Sequence, residues 1–207
     1  MTRGTGSYNA LTMRLILASA SPRRQELLRN AGFDFEVCPS QIPEEGPSRS
    51  EPPVEFVRRV AREKVLRVAA SREPGSLVLG ADTVVVINGL VLGKPTGPHD
   101  ATHMLRLLSG QTHQVITGVC LVRVPDEIKA LTHETTFVTF RELDESEIRS
   151  YIESREPFDK AGAYAVQGLA SKFVTRISGC YFNVVGLPVP LVYEILKPFL
   201  QPEVSGP

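Results

Sequence analysis

The sequence has no tryptophan in its 207 residues, so stacking on a planar ligand would fall to Tyr, Phe or an Arg plane. It has no excess of either charge: 23 Lys and Arg face 23 Asp and Glu, a formal net charge of zero. That balance argues against duplex nucleic acid or an anionic membrane as the main partner. Cysteine is scarce. Cys38, Cys120 and Cys180 stand far apart, with no C-x-x-C and no Cys/His cluster. This excludes a disulfide framework and a structural zinc site, and fits reduced, buried thiols in a cytoplasmic protein. No apolar run approaches the ~20 residues that span a bilayer. Leu15–Ala20 ends in the A-x-A pattern of a cleavage site. Its apolar part is shorter than the roughly 7–15 residues of a signal-peptide core, and Arg14 interrupts what precedes it. G-x-S-x-G, the P-loop and G-x-G-x-x-G are all missing.

What is present describes a folded domain. Hydrophobic residues make up 42% and charged residues 22%, enough for a sizeable core. Residues 1–12 are polar and Gly-rich and read as a disordered extension, with Met13 as an alternative start. Residues 13–202 read as one domain and 203–207 as a tail, with no repeat and no linker to divide the chain. Arg14–Ser19 reads as a buried strand, followed by a helix over 22–30 with Ser21 as N-cap and Pro22 in the first turn. Phe33–Pro39 alternates as a second strand. Val54, Val57, Val60, Ala61, Val65 and Val68 recur at helical spacing within Pro53–Ser71. Leu77–Ile87 and Leu90–Leu92 flank an Asn88-Gly89 hairpin turn, and Pro98–Leu108 is an amphipathic helix. Thr112–Val124 and Leu131–Phe140 read as an antiparallel pair, and Asp144–Glu153 as a helix opened by a capping box with Glu147. Phe173–Ile177 and Tyr181–Val185 read as strands, and Pro188–Leu200 as the closing helix. Helices mixed with hairpins predict an α/β fold with a mixed sheet.

Several short segments carry chemistry. In Ser19-Ala20-Ser21-Pro22-Arg23-Arg24 a helix N-terminus meets two hydroxyls and two guanidiniums. That combination suits a polyphosphate, and it also suits an ordinary capped helix with surface arginines. Asp82 lies between two apolar runs, where a carboxylate is costly unless it is paired or binds metal; it is a candidate general base, or a turn-capping Asp. Lys64 and Lys94 could each hold a phosphate or be solvated. Glu44 and Glu45 lie in a loop that could reach an oxygen-ligated cation or face solvent. The segment Asp159–Gly168 is rich in small residues that let a ligand approach, and its Gln167 offers both a donor and an acceptor. His99 and His103 have metal-ligand spacing without H-E-x-x-H and read as surface residues.

Together these segments resemble the Maf family of nucleoside triphosphate pyrophosphatases. The matching stretches run in order from about Arg14 to Leu200: Leu17–Arg24, Arg62-Glu63-Lys64, Gly80–Thr83, Gly93-Lys94-Pro95, Leu108-Ser109-Gly110, Asp159–Gly168 and Asn183–Pro188. The resemblance implies one elongated α/β domain. Its mixed, curved sheet would be flanked by helices around a central cleft, as in inosine triphosphate pyrophosphatases. It implies hydrolysis of a small-molecule nucleoside triphosphate to the monophosphate and pyrophosphate with Mg²⁺ or Mn²⁺, no nucleic-acid or membrane partner, and a homodimer.

Residue by residue, Asp82 matches the family's proton acceptor and a metal contact. Ser19, Arg24, Lys64 and Lys94 match positions that hold the triphosphate. Glu44 matches the metal-contacting acidic position, or Glu45 if the register slips by one. Arg23, Thr83 and Gln167 match the specificity positions and follow the branch acting on dTTP and UTP, with CTP and ring-modified pyrimidine nucleotides as near relatives of those substrates. The 7-methyl-GTP branch carries Trp, Gln and Glu at these three places. A pyrimidine's carbonyl–imide edge suits Arg and a neutral amide, whereas a cationic methylated guanine suits an aromatic face and a carboxylate. Ala165 and Ser171 stand where relatives often have glycine. Two alternatives stand beside this reading: a 7-methyl-GTP pyrophosphatase, and a nucleotide-binding regulator of septum formation in which binding, not turnover, matters.

Overall fold

The computed structural model describes residues 11–42, 46–48 and 50–200. Its centre is a seven-stranded mixed sheet: β1 (Leu15–Leu17), β2 (Glu36–Val37), β3 (Leu77–Ile87), β4 (Leu90–Leu92), β5 (Thr112–Arg123), β6 (Glu127–Phe140) and β7 (Val174–Ser178). The order is β2-β1-β3-β5-β6-β7, with β4 also on β3. The β2-β1-β3 part is parallel, because the chain crosses over through α1 (Pro22–Asn30) and α2 (Pro53–Ala69); the remainder is antiparallel. The helices α3 (Pro98–Leu108), α4 (Glu145–Glu153), α5 (Tyr181–Val185) and α6 (Val189–Leu196) complete the fold.

Alternation along β3 and β5 decides which residues meet which helix. Val78, Cys120 and Val122 pack under Ala61, Val65 and Val68 of α2, and Val84 and Ile116 pack under Phe56, Val57 and Val60. Leu77, Leu79, Ala81, Val119 and Leu121 face the other way, onto Leu27 and Leu28 of α1 and Val192 and Leu196 of α6. Val85, Ile87 and Val115 join α3 and α4 in a third cluster. Two glycines bring α2 unusually close. A Cβ at Gly118 would stand 2.2 Å from the Val57 carbonyl oxygen, and one at Gly80 would stand 2.6 Å from Val65 Cγ2. Only glycine fits where helix backbone touches sheet backbone.

Most sequence-based elements match, including the Ser21 cap and the Asp144–Glu147 capping box. Four differ. Tyr181–Val185 is helical, not a strand. Its valines favour extended backbone, but Asn183 lies buried at the centre and donates from Nδ2 to Val115 O at 2.9 Å and Thr136 Oγ1 at 3.0 Å. Tertiary contacts override local preference there. The second strand shrinks to Glu36–Val37, since β1 offers only a short partner. β6 starts at Glu127 because its exposed first residues pair with Leu121–Arg123 without apolar alternation. The closing helix ends at Leu196 and tightens into a 3₁₀ turn over Lys197–Phe199. Leu11 and Thr12 belong to the domain, bridging Leu200 and donating to Phe199 O at 2.8 Å. Residues 1–10, and 203–207 of the expected tail, lie outside the described residues. Of the thiols only Cys120 is buried; Cys38 and Cys180 are half-buried, and all three are free. His99 and His103 are exposed, as expected.

One buried polar group sits in the third cluster. His113 is 1% exposed, its Nε2 lies 2.8 Å from the Tyr164 hydroxyl, and Phe140 meets both rings edge-on. Burial pushes its pKa down from 6.5 to about 4, so it stays neutral in the fold. Between those values the unfolded chain takes up a proton and the native state does not, so stability is lost as pH falls from 6.5 to 4. Replacing His113→Gln should flatten that loss by about 3 kcal/mol, read from urea titrations across the range. Gly118→Ala should cost about 1–3 kcal/mol by overpacking against Val57, while Gly46→Ala, with nothing among the described residues within 4 Å, should leave the melting temperature unchanged.

Candidate active site

The site opens where the sheet is incomplete. One edge of β3 carries β1 along Leu77–Leu79 and β4 along Val85–Ile87, with Gly80–Val84 left between them. This notch explains how two successive residues with opposite side-chain directions reach one cleft. Asp82 faces α2, Thr83 faces α1 and α5, and both line the opening. The cleft encloses about 950 Å³, a volume that fits a small-molecule site. Its flanks are what follow the two strands: Ser19 to Arg24 after β1, and Gly93-Lys94 after β4.

On the α2 side, Lys64 Nζ donates to Asp82 Oδ1 at 2.6 Å. The two side chains are only 12% and 16% exposed. Asp82 in its apolar surroundings is therefore paired, and the cation that pairs it lies 18 residues away in sequence. The close approach of α2 at Gly80 and Gly118 sets this contact, since Gly118 stands opposite Asp82 in the β3–β5 register.

On the opposite side, Arg24 ties three elements together. Its Nε donates to Gly186 O at 2.8 Å, its NH1 to Ala81 O at 2.7 Å and its NH2 to Thr83 Oγ1 at 2.9 Å, with Ser19 Oγ at 3.5 Å. The bond to Ala81 satisfies a carbonyl within the notch. Thr83 Oγ1 also meets Thr117 Oγ1 at 2.9 Å. Ser19, 6% exposed, accepts from Ser21 N–H, and Ser21 caps α1, so the first helical turn is presented to the cleft.

The far wall is the segment between α4 and β7. Asp159, Lys160, Ala161 and Tyr164 to Gln167 line it. Gly162 packs so tightly on Val85 that a Cβ would lie 2.8 Å from a valine methyl. Arg23, on α1, lines the same cleft. Gln167 and Lys94 are exposed at the rim. The structure thus gathers Ser19, Arg23, Arg24, Lys64, Asp82, Thr83, Lys94 and Gln167 in one cleft. Glu44 and Glu45 lie outside the described residues. Lys160, which no sequence motif singles out, has a side chain only 8% exposed that bonds the Asp159 carboxylate. Its burial was the missing signal, since in sequence it is one lysine beside an acid.

Asp82 is a hard oxygen donor of the kind Mg²⁺ and Mn²⁺ take, with phosphate oxygens and waters as further ligands. Among the described residues no group of three or more His, Cys, Asp or Glu could hold a metal ion. None of the described helices is long and apolar enough to cross a membrane.

The model of the Maf-like protein family matches residues 14–199. A dTTP/UTP pyrophosphatase of Koribacter versatilis is 50% identical over 92% of this chain and 96% of its own length. One from Symbiobacterium thermophilum is 48% identical over 93% of this chain and 97% of its own. A solved HAM1 protein from Coxiella burnetii aligns with 90% of this chain and 100% of its own at 14% identity and a TM-score of 0.49. With nearly the whole described chain matched and half of its residues shared with such relatives, the protein belongs to the Maf family.

Proposed function

We propose that the protein hydrolyses dTTP and UTP to the nucleoside monophosphate and pyrophosphate, with Asp82 accepting the proton of the attacking water. The observation that carries this reading is the Asp82 carboxylate in the β3 notch, paired to Lys64 and flanked by Ser19 and Lys94. Water oxygen bonds to the α-phosphorus, its proton passes to Asp82, and the bond from that phosphorus to the bridging oxygen of the β-phosphate breaks. Pyrophosphate leaves with the bond's electron pair. Lys64 is displaced from Asp82 by the incoming triphosphate. The carboxylate is then left to act as base, and the ammonium meets phosphate oxygens. Ser19 and Lys94 hold the rest of the chain of phosphates. Arg24 serves them by fixing Ser19 and the Ala81 carbonyl. Asp82, with Glu44 or Glu45, would hold Mg²⁺ or Mn²⁺, which when bound supplies charge neutralisation on the phosphates.

Arg23 and Gln167 both line the cleft, and they read the pyrimidine's carbonyl–imide edge. Thr83 acts from beneath, through Arg24. The relatives' names and these three residue types support dTTP and UTP over 7-methyl-GTP. CTP and ring-modified uridine nucleotides differ by few atoms and are proposed as slower substrates. The same reading places the enzyme in the cytoplasm, where its three free thiols persist, and makes it a homodimer like its family.

The test is pyrophosphate release from dTTP, UTP, CTP, GTP and 7-methyl-GTP with Mg²⁺ or Mn²⁺. Turnover of dTTP and UTP that EDTA abolishes is expected, and Asp82→Asn should lower kcat at least about 10³-fold while nucleotide still binds. Binding of every nucleotide without release from any would sink the enzymatic reading in favour of a regulator. Arg23→Trp with Gln167→Glu should cut kcat/KM for dTTP by about 10²-fold at an unchanged melting temperature, and an unaltered substrate profile would remove both from specificity.

A further inference from the structure

Gln167 is exposed, carries no side-chain hydrogen bond to the described residues, and sits on a segment without helix or strand, yet a specificity residue must be held in place. The structure around it supplies a holder. Ala165 to Gly168 close a tight turn through Gly168 N–H to Ala165 O at 3.2 Å, with Gln167 at the third position. Both ends of this turn are gripped from one place. Ala165 N–H donates to the Tyr151 hydroxyl at 3.3 Å, and Leu169 N–H donates to Glu156 Oε2 at 3.0 Å. The two grips are joined, because Tyr151 O–H donates to Glu156 Oε1 at 3.0 Å. Tyr151 is itself fixed, 2% exposed and edge-on to Phe173 at 5.3 Å. Arg155 turns left-handed, with φ of 63°, to swing Glu156 beneath the loop.

Glu156 is half-buried, and among the described residues its carboxylate pairs with no cation; its acceptors serve a phenol and a backbone amide. Charge-assisted bonds of this kind are stronger than neutral ones. Gly168 completes the fit, since a Cβ there would lie 2.2 Å from Glu156 Oε1.

We propose that Glu156 and Tyr151 form a positioning clamp that holds the Ala165–Gly168 turn and so aims Gln167 at the base of the bound nucleotide. Neither Tyr151 nor Glu156 lines the cleft, and the inference rests on the reading of Gln167 as a specificity residue. The clamp acts through Gln167 alone, so its loss weakens recognition and leaves the chemistry at Asp82 intact.

The experiment is a mutant cycle on dTTP hydrolysis with melting temperatures recorded in parallel. Glu156→Ala should raise KM for dTTP about ten-fold with kcat little changed. In a Gln167→Ala background the same change should add nothing. Gly168→Ala, whose new methyl evicts the carboxylate at a φ that alanine accepts, should reproduce the KM effect and stands in if Glu156→Ala does not fold. An effect of Gln167→Ala without one of the clamp variants, or effects that simply add, overturns the clamp alone. No effect of Gln167→Ala overturns both the clamp and the reading of Gln167.

Discussion

The contact between α2 and the sheet at Gly80 and Gly118 is the constraint on which the site depends. Backbone meets backbone there, and no side chain larger than hydrogen fits between the Val57 carbonyl and β5. That closeness lowers α2 onto β3 and brings Lys64 within 2.6 Å of Asp82. A carboxylate in an apolar strand would otherwise stand unpaired at considerable cost. The same packing therefore stabilises the sheet and stores the proposed base beside the cation that its substrate would displace.

The notch in β3 is the second constraint. A continuous sheet would send Asp82 and Thr83 to separate faces with a layer of backbone between them. Because β1 stops at Leu17 and β4 covers only Val85–Ile87, the edge between them stays open and both residues reach one cleft. Arg24 repairs part of the missing pairing by donating to Ala81 O, and in doing so binds α1, β3 and the turn at Gly186 into one wall. In the far wall His113, Phe140 and Tyr164 form a buried ring cluster beneath the loop that carries Gln167. The cleft is thus lined by groups whose backs are locked into three different hydrophobic clusters, which is how loops can carry a site with defined geometry.

How much could be read beforehand differs element by element. The helix at 22–30 announces itself through its Ser21 cap, and those at 53–69 and 98–108 through helical spacing, because one face of each is buried. Tyr181–Val185 misleads, since five residues are too few for a period and the deciding partner of Asn183 is Val115, 68 residues away. The cluster of Ser19, Arg23, Arg24, Lys64, Asp82, Thr83, Lys94 and Gln167 is legible as a set of motifs in order. Lys160 and Glu156 are not, because an acid or a lysine alone has no pattern until burial and partners are known.

Residue identities set the chemistry available: which acids, bases and hydroxyls exist, where helices begin, and that nothing in the composition favours nucleic acid or membrane. Those properties are local, set by residue type and short-range spacing. Only the tertiary structure decided which of these groups meet. The Lys64–Asp82 pair, the Arg24 tie to Gly186 and the grip of Glu156 on Leu169 N–H join residues 18, 162 and 13 positions apart. Such contacts depend on sheet register and on the distance at which a helix packs, and side-chain identity along the chain specifies neither until the whole core has closed.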